Sequence, residues 1–350
     1  MANPRSSKLT ALFAALETTP GTYNDPTTDP TNVLKITDFT IDFISSNAAR
    51  DFYKTSFGKL PDVVTQIYAQ ISFTVELHGE GIDANNNVQE PRIGKLIEGC
   101  GFKKYTTTAD VDSDTEDETS SYYYLPVSAI WGSSDFKTLS FAIYHGKSAS
   151  NAVLYKLKGA VGNMSFTGTV GSFPTLSFTF TGVLEGTPTD AAFPSTTYST
   201  VDPNPWQGCD LSFDSQTFLA ATRFEFNMNN VVAPRIDFQQ PDGLIGFAIN
   251  DRNPTGALDP EACLVSDYDM FSKFKNGQTV ALSIGPLGDD TNDKGNIIKI
   301  TAPAVQVTDY AFGDRDGILT WELPLKFCTS SASADDEIKI IFAYTSEYAS

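Results

Sequence analysis

The stretch Ile67–His78, IYAQISFTVELH, decides the class of fold. Ile67, Ala69, Ile71, Phe73, Val75 and Leu77 share one parity; Tyr68, Gln70, Ser72, Thr74, Glu76 and His78 share the other. Side chains along a strand alternate between its faces, so a period of two predicts one buried and one wet face. The run is about twice the usual strand length of ~5–6 residues. Shorter runs repeat the pattern. Leu176, Phe178 and Phe180 alternate with Ser177, Thr179 and Thr181; Phe224, Phe226 and Met228 with Arg223, Glu225 and Asn227. Leu319, Trp321, Leu323, Leu325 and Phe327 alternate with Thr320, Glu322, Pro324 and Lys326, and Ile338, Ile340, Phe342 and Tyr344 follow. Pro324 has no N–H to donate, which predicts a local edge or bulge there. The chain reads as a mainly β, antiparallel protein whose sheets each have one solvated face.

Working outward, two short helices are expected. Pro91–Gly101 spaces Ile93, Leu96, Ile97 and Cys100 at helical intervals between a proline start and a glycine stop. Ser266–Gly277 sets Ser266 and Asp269 at capping-box spacing, puts Met270, Phe271 and Phe274 on one side, and stops at Asn276-Gly277. The expected strands after each helix fall in the same order, from Thr138 to Thr175 and again from Gln278 to Leu319, which predicts an internal repeat. The polar, acidic stretch 103–122 then counts as an insertion in the first copy. The region 186–206, rich in Pro, Thr and Ser, reads as a linker. The expected organisation is an N-terminal arm 1–31, a first domain 32–185, the linker 186–206 and a second domain 207–350.

The chain has 350 residues, with 24 Lys and Arg against 43 Asp and Glu and a net charge of −19. Hydrophobic residues make up 41%, an ordinary globular fraction that argues against extended disorder. The acidic balance argues against tight nucleic-acid binding, which depends on Lys and Arg neutralising phosphates. Cys100, Cys209, Cys263 and Cys328 are widely spaced with no C-x-x-C, so zinc and thioredoxin-type sites lack their motif. This cysteine usage suits a reducing compartment, with a long-range disulfide left open. The apolar run Leu9–Leu16 is too short to span a bilayer and lacks a signal-peptide cleavage site, and no membrane association is expected.

A search for chemistry returns little. The chain has 2 histidines. His78 and His145 read as surface or turn residues, and no nucleophile elbow, P-loop, dinucleotide fingerprint or H-E-x-x-H is present. Catalytic residues, cofactors and metals are therefore not expected. The acids Asp110, Asp112, Asp114, Glu116, Asp117 and Glu118 resemble a calcium loop only superficially. Thr115 and Ser121 stand where an EF-hand loop begun at Asp110 needs glycine and glutamate. Tyr122-Tyr123-Tyr124, with Trp131 beyond, suits a strand entering a core better than a carbohydrate-stacking surface.

Several segments together resemble the tail tube (major tail) proteins of long-tailed bacteriophages of the siphophage type. Leu12–Tyr23, LFAALETTPGTY, is similar to that family's opening, and Arg92–Phe102, RIGKLIEGCGF, to its short helix. Leu154–Gly162 with Pro174–Leu184, LYKLKGAVG and PTLSFTFTGVL, resembles its central hairpin, and Leu184–Ala192 with Pro194 the exit from it. Asn250–Leu264, NDRNPTGALDPEACL, and Tyr310–Phe327, YAFGDRDGILTWELPLKF, are similar to longer members. The resemblance implies two tandem β-sandwich or barrel domains, each with a flanking helix, lending strands to an oligomeric barrel around a lumen. It implies a structural virion protein, assembled in the host cytoplasm, whose stacked rings form the conduit for DNA. Its partners would be further copies of itself, the tape-measure protein, and the tail terminator and distal tail proteins, with DNA passing unbound. Two similar halves suggest a trimeric ring of pseudo-sixfold symmetry, with a hexamer as the alternative if the repeat is illusory. The candidate lumen residues are Gln70, Ser72, Thr74, Glu76, Ser177, Thr179, Thr181, Glu225, Asn227, Thr320 and Glu322, unless these faces look outward. A net-acidic lining would repel DNA weakly and let it slide; Arg223 and Lys326 on the same faces require acidic partners. Pro20, Gly21, Asp25 and Pro26 mark a candidate arm to the next ring. The competing class is a surface or secreted β-sandwich that binds a glycan or other ligand.

Overall fold

The computed structural model describes residues 4–111, 117–148, 150–216 and 220–349. The first half contains strands β1 (Thr10–Leu16), β2 (Val33–Leu34), β3 (Thr37–Ala48), β4 (Val63–Glu76), β5 (Phe102–Ala109), β6 (Glu118–Pro126), β7 (Leu139–Ser148), β8 (Asn151–Thr169), β9 (Thr175–Leu184) and β10 (Thr189–Ala191), with helix α1 (Gly94–Gly99). The second half contains β11 (Leu211–Phe213), β12 (Arg223–Asn227), β13 (Val231–Ile236), β14 (Leu244–Asp251), β15 (Thr255–Leu258), β16 (Thr279–Leu287), β17 (Ile297–Val307), β18 (Ala311–Arg315), β19 (Ile318–Cys328) and β20 (Lys339–Ala343), with helix α2 (Met270–Lys275). The fold is mainly β, as the alternation predicts, and the ladders are antiparallel.

The two halves are wired alike. In the first, β1 flanks β7, and the ladder continues β7–β8–β9–β4–β3, with β10 also on β8. In the second, β11 flanks β16, and the ladder continues β16–β17–β19–β15–β12, with β20 also on β17. Even an irregularity is repeated. Leu139 faces Ala160 and Phe141 faces Leu157; likewise Val280 faces Val305 and Leu282 faces Ala302. This shared bulge sets the residue correspondence, placing Phe178 and Phe180 level with Leu323 and Leu325. Strand β18 extends β17 along β19 and corresponds to the distal part of β8.

The halves are continuous rather than separate. Strand β8 pairs with β12, β6 pairs with β20, and a single apolar core runs from Leu12 through Phe73, Phe178 and Phe226 to Phe342. Ala69, Ile71, Phe73, Val75 and Leu77 are buried as the alternation requires; Ile67, farther along the hairpin, is 36% exposed. Rings of Phe73, Phe141, Phe178 and Phe180 pack at centroid distances of 5.1–6.3 Å. Each such pair contributes about 0.5–1.5 kcal/mol beyond the area it buries.

Several expectations are corrected in detail. Asp269 alone caps α2, its carboxylate accepting from the Ser272 N–H at 2.9 Å; Ser266 lies outside the helix. The described part of 103–122 forms the arms of the β5–β6 hairpin, and Tyr122–Tyr124 pair with β20. Pro324 lies where the neighbour on one side of β19 changes from β18 to β17, so its missing N–H coincides with a break in that ladder. Its carbonyl still accepts from the Thr308 N–H at 2.9 Å.

Candidate functional site

The polar parities of β3, β4, β9, β8, β12, β15 and β19 lie side by side and make one continuous face. Gln70 stands opposite Asp42 and Thr181, Ser72 opposite Thr40 and Thr179, and Thr74 opposite Ser177. From there, Ser177 faces Ser165, Ser165 faces Asn227, Asn227 faces Thr255, and Thr255 faces Lys326. Short side chains bond across the strands: Ser72 Oγ to Thr179 Oγ1 at 3.1 Å, Thr74 Oγ1 to Ser177 Oγ at 2.9 Å, and Gln70 Nε2 donating to Thr181 Oγ1 at 3.4 Å. These bonds tie the polar side chains to one another across the strands.

Charge on this face is sparse and acidic on balance, with Asp42, Glu76, Glu225 and Glu322 against Arg223 and Lys326. Arg223 has the acidic partners it requires: its Nη1 lies 3.5 Å from Glu225 Oε1 and its Nη2 3.8 Å from Glu322 Oε2. Thr320 departs from the expected set. It is 2% exposed, wedged between Gly313 of β18 on one side and Glu261 on the other. Thr181 is also buried, beside Gln70.

One end of the face is roofed by the β13–β14 hairpin. There the polar parity becomes apolar, and Tyr68, Val161 and Val183 pack with Leu244 and Phe247. The turn into this hairpin is made by Asn229 and Asn230. Asn230 Nδ2 donates to the carbonyls of Cys100 (2.7 Å) and Gly162 (2.9 Å), and its N–H donates to Asn163 Oδ1. Behind the hairpin lies a cleft of about 860 Å³ lined by Trp131, Phe136, Ile249 and Arg252. Arg252 bridges Asp335 (2.6 Å) and Glu337 (2.8 Å), and the Arg235 guanidinium covers the Trp131 ring at 4.8 Å. The Trp131 ring is thus covered by Arg235 and packs against Phe136 at 5.3 Å.

The residues proposed as an arm are tied to the body. Strand β1 is buried between β2 and β7, and Pro26 is buried. Asp25 caps a short turn by accepting from the Thr27 N–H at 3.0 Å, and Gly21 approaches the Ile245 backbone too closely for a side chain. The knot is Glu17, a buried carboxylate that sequence reasoning did not single out. It accepts from the Gly21 and Gly159 N–H groups and the Thr138 and Ser140 hydroxyls at 2.6–2.8 Å. The available signal was an acid placed directly after an apolar run.

The segment that does project is the end of the β3–β4 hairpin. Phe52, Tyr53 and Phe57 are 60%, 110% and 106% exposed, and Phe43, Val63 and Val64 below them are also exposed. Large apolar side chains gathered in this way mark a contact surface.

His78 is buried rather than at the surface, hydrogen-bonded through Nδ1 to the Gly79 carbonyl at 2.7 Å, while Asn296 binds the Gly79 N–H. His145 lies within β7, bonded to Thr10 Oγ1 at 3.0 Å, and burial with Arg5 nearby lowers its pKa. The four cysteines are free. Asp112, Asp114, Thr115 and Glu116 lie outside the described residues, and among the described residues no three potential ligands gather as a metal site. No described helix is long and apolar enough to cross a membrane.

The chain is thus an antiparallel β protein with a continuous polar face, two similarly wired halves and an exposed hairpin tip. The family model described as phage tail tube protein matches residues 7–323, and the chain belongs to that family. A search of curated proteins gives no match.

Proposed function

We propose that this chain is the ring subunit of a phage tail tube, a structural component of the virion tail, assembled in the host cytoplasm and stacked into the conduit for DNA. Each chain supplies two pseudo-equivalent units, 32–185 and 207–350, joined by 186–206, with β1 completing the first. The observation that carries the reading is the unbroken polar face across both halves. Lined by hydroxyls and amides with a slight acidic excess, it offers DNA phosphates neither a counterion-releasing grip nor an apolar wall. Gln70, Ser72, Thr74, Glu76, Ser177, Thr179, Glu225, Asn227 and Glu322 face the lumen in this reading, and the aromatic β3–β4 tip contacts the next ring. Its further partners in this reading are the tape-measure protein and the tail terminator and distal tail proteins.

Ring size follows from strand count. One chain lends the ribbon β3–β4–β9–β8–β12–β15–β19–β18. At about 4.8 Å per strand and a tilt near 40°, two copies enclose a barrel about 32 Å across at the backbone and three copies about 48 Å. Side chains on opposite walls leave room for a hydrated duplex only in the second case, which favours a trimer of pseudo-sixfold symmetry. Electron microscopy of the concentrated protein, with analytical ultracentrifugation, tests this. Tubes with a duplex-wide channel and threefold averaged symmetry are expected; a monomer that stays unassembled at every concentration counts against it.

A further inference from the structure

The ribbon has two open edges. Among the described residues, β3 has a ladder partner only in β4, and β18 only in β19. Inside the chain, the counterparts of these two edges are already joined. Strand β12, the counterpart of β3, pairs with the distal part of β8, the counterpart of β18, matching Asn227 with Ser165, Phe226 with Phe166 and Glu225 with Thr167.

The correspondence is fixed residue by residue. Rows Phe226–Gly256–Leu325 and Ile41–Ile71–Phe180 occupy the same place in the two halves. Ala311 faces Glu322 as Ser165 faces Ser177, so β18 from Ala311 to Arg315 matches 165–169. On the self-assembly reading given above, we propose that β18 of one subunit pairs antiparallel with β3 of the next, repeating the internal β8–β12 ladder. Asp42 then faces Ala311, Ile41 faces Phe312 and Thr40 faces Gly313, with Asp38 arriving beside Arg315.

The side chains fit this occupant. Phe166 is 2% exposed because β12 and Trp206 lie against it, whereas its counterpart Phe312 is 55% exposed. A neighbouring Ile41 restores the missing cover. At the ladder end Asp38 comes near Arg315, which within its own subunit already pairs with Asp259 at 2.9 Å and lies 3.8 Å from Glu261. Such a contact is heterologous: it joins two different patches and closes into a ring when the rotation allows, removing both unpaired edges.

Cysteines at Asp42 and Ala311 test the register, since directly opposed antiparallel residues lie about 4.5–5.5 Å apart at Cα, within disulfide range. Mild oxidation of assembled D42C/A311C is expected to give covalent dimers and trimers on denaturing gels. D42C alone, A311C alone and the parent chain with its own four cysteines should give none. Tubes that form without this cross-link overturn the ladder and leave the tube reading standing; absence of any assembly sinks both. As an independent arm, F312D is expected to keep the parent's melting temperature, because the side chain is largely exposed in the subunit, while abolishing rings. Tubes formed by F312D overturn the proposal.

Discussion

The two halves build the same hairpin and use it differently. In the first, β3–β4 pairs without interruption by another hairpin as far as Ala48 and Val63 and leads to an exposed aromatic tip. In the second, the equivalent hairpin is broken into β12–β15 and β13–β14, and its outer part folds back onto Tyr68, Val161 and Val183. The turn at Asn229, with φ of 50°, and the bonds of Asn230 to Cys100 and Gly162 accompany the difference. One ladder thus supplies a projecting tip in the first half and a roof over the sheet in the second.

The contrast is most sharply tested at Phe247, which is 3% exposed and packs against Tyr68 at 5.2 Å. Phe247→Ala should destabilise the chain by about 3–5 kcal/mol, the usual range for emptying an aromatic core site. Urea unfolding measures it, and a loss below 1 kcal/mol would mean that the roof is not packed in solution.

The two helices differ in the same sense. Helix α2 sits at the surface with Lys273 and Lys275 in its last turn, whereas α1 is buried and contains Glu98. Burial pushes the Glu98 carboxyl up to about 7, partly opposed by Lys104 and assisted by Glu90. A carboxyl raised in the folded state contributes stability that is complete below its free value and disappears as pH rises through the folded one. Stability should therefore fall by about 3 kcal/mol between pH 4.5 and 8 through this group. Glu98→Gln should remove that slope and raise stability at pH 8; unfolding midpoints for both proteins across this range decide it, and parallel curves would reject the assignment.

Asn230→Ala comes next. It deletes two side-chain bonds to buried carbonyls, an expected loss of about 2 kcal/mol. Protection of β13–β14 amides against hydrogen exchange should fall while β3–β4 is unchanged. Equal loosening of both hairpins would show that the turn does not set the fold-back.

Local pattern made much of this legible. The burial of Ala69 through Leu77 and the shared face of Gln70, Ser72 and Thr74 follow from period two alone, and Ile93, Leu96, Ile97 and Cys100 follow from helical spacing. Features set by distant partners were not legible. His78 is covered because Asn296 closes over Gly79, Thr320 because Gly313 and Glu261 flank it, and Glu17 draws the Thr138, Ser140 and Gly159 donors from more than a hundred residues away. Parity gives a strand two faces but does not say which neighbour lies on either. The segment around Pro20 and Asp25 shows the same limit, since proline and glycine mark a bend without saying whether it docks.

The smallest stability effect and the most informative assembly effect belong to the β3–β4 hairpin. Phe52 and Phe57 have almost no contacts to lose, so replacing both with serine should shift unfolding by no more than about 0.5 kcal/mol. If the tip bridges rings, single rings should still close through the sheet edges while their stacking fails. Sedimentation would then show a discrete ring in place of tubes. Tubes of normal length from the double variant would assign stacking to another surface and leave the exposed tip without a role, whereas loss of rings as well as tubes would place the tip within the ring rather than between rings. The experiment therefore separates the proposed lateral contact, at Thr40–Asp42 of β3, from the proposed axial one, at the aromatic tip that follows the end of β3 at Ala48.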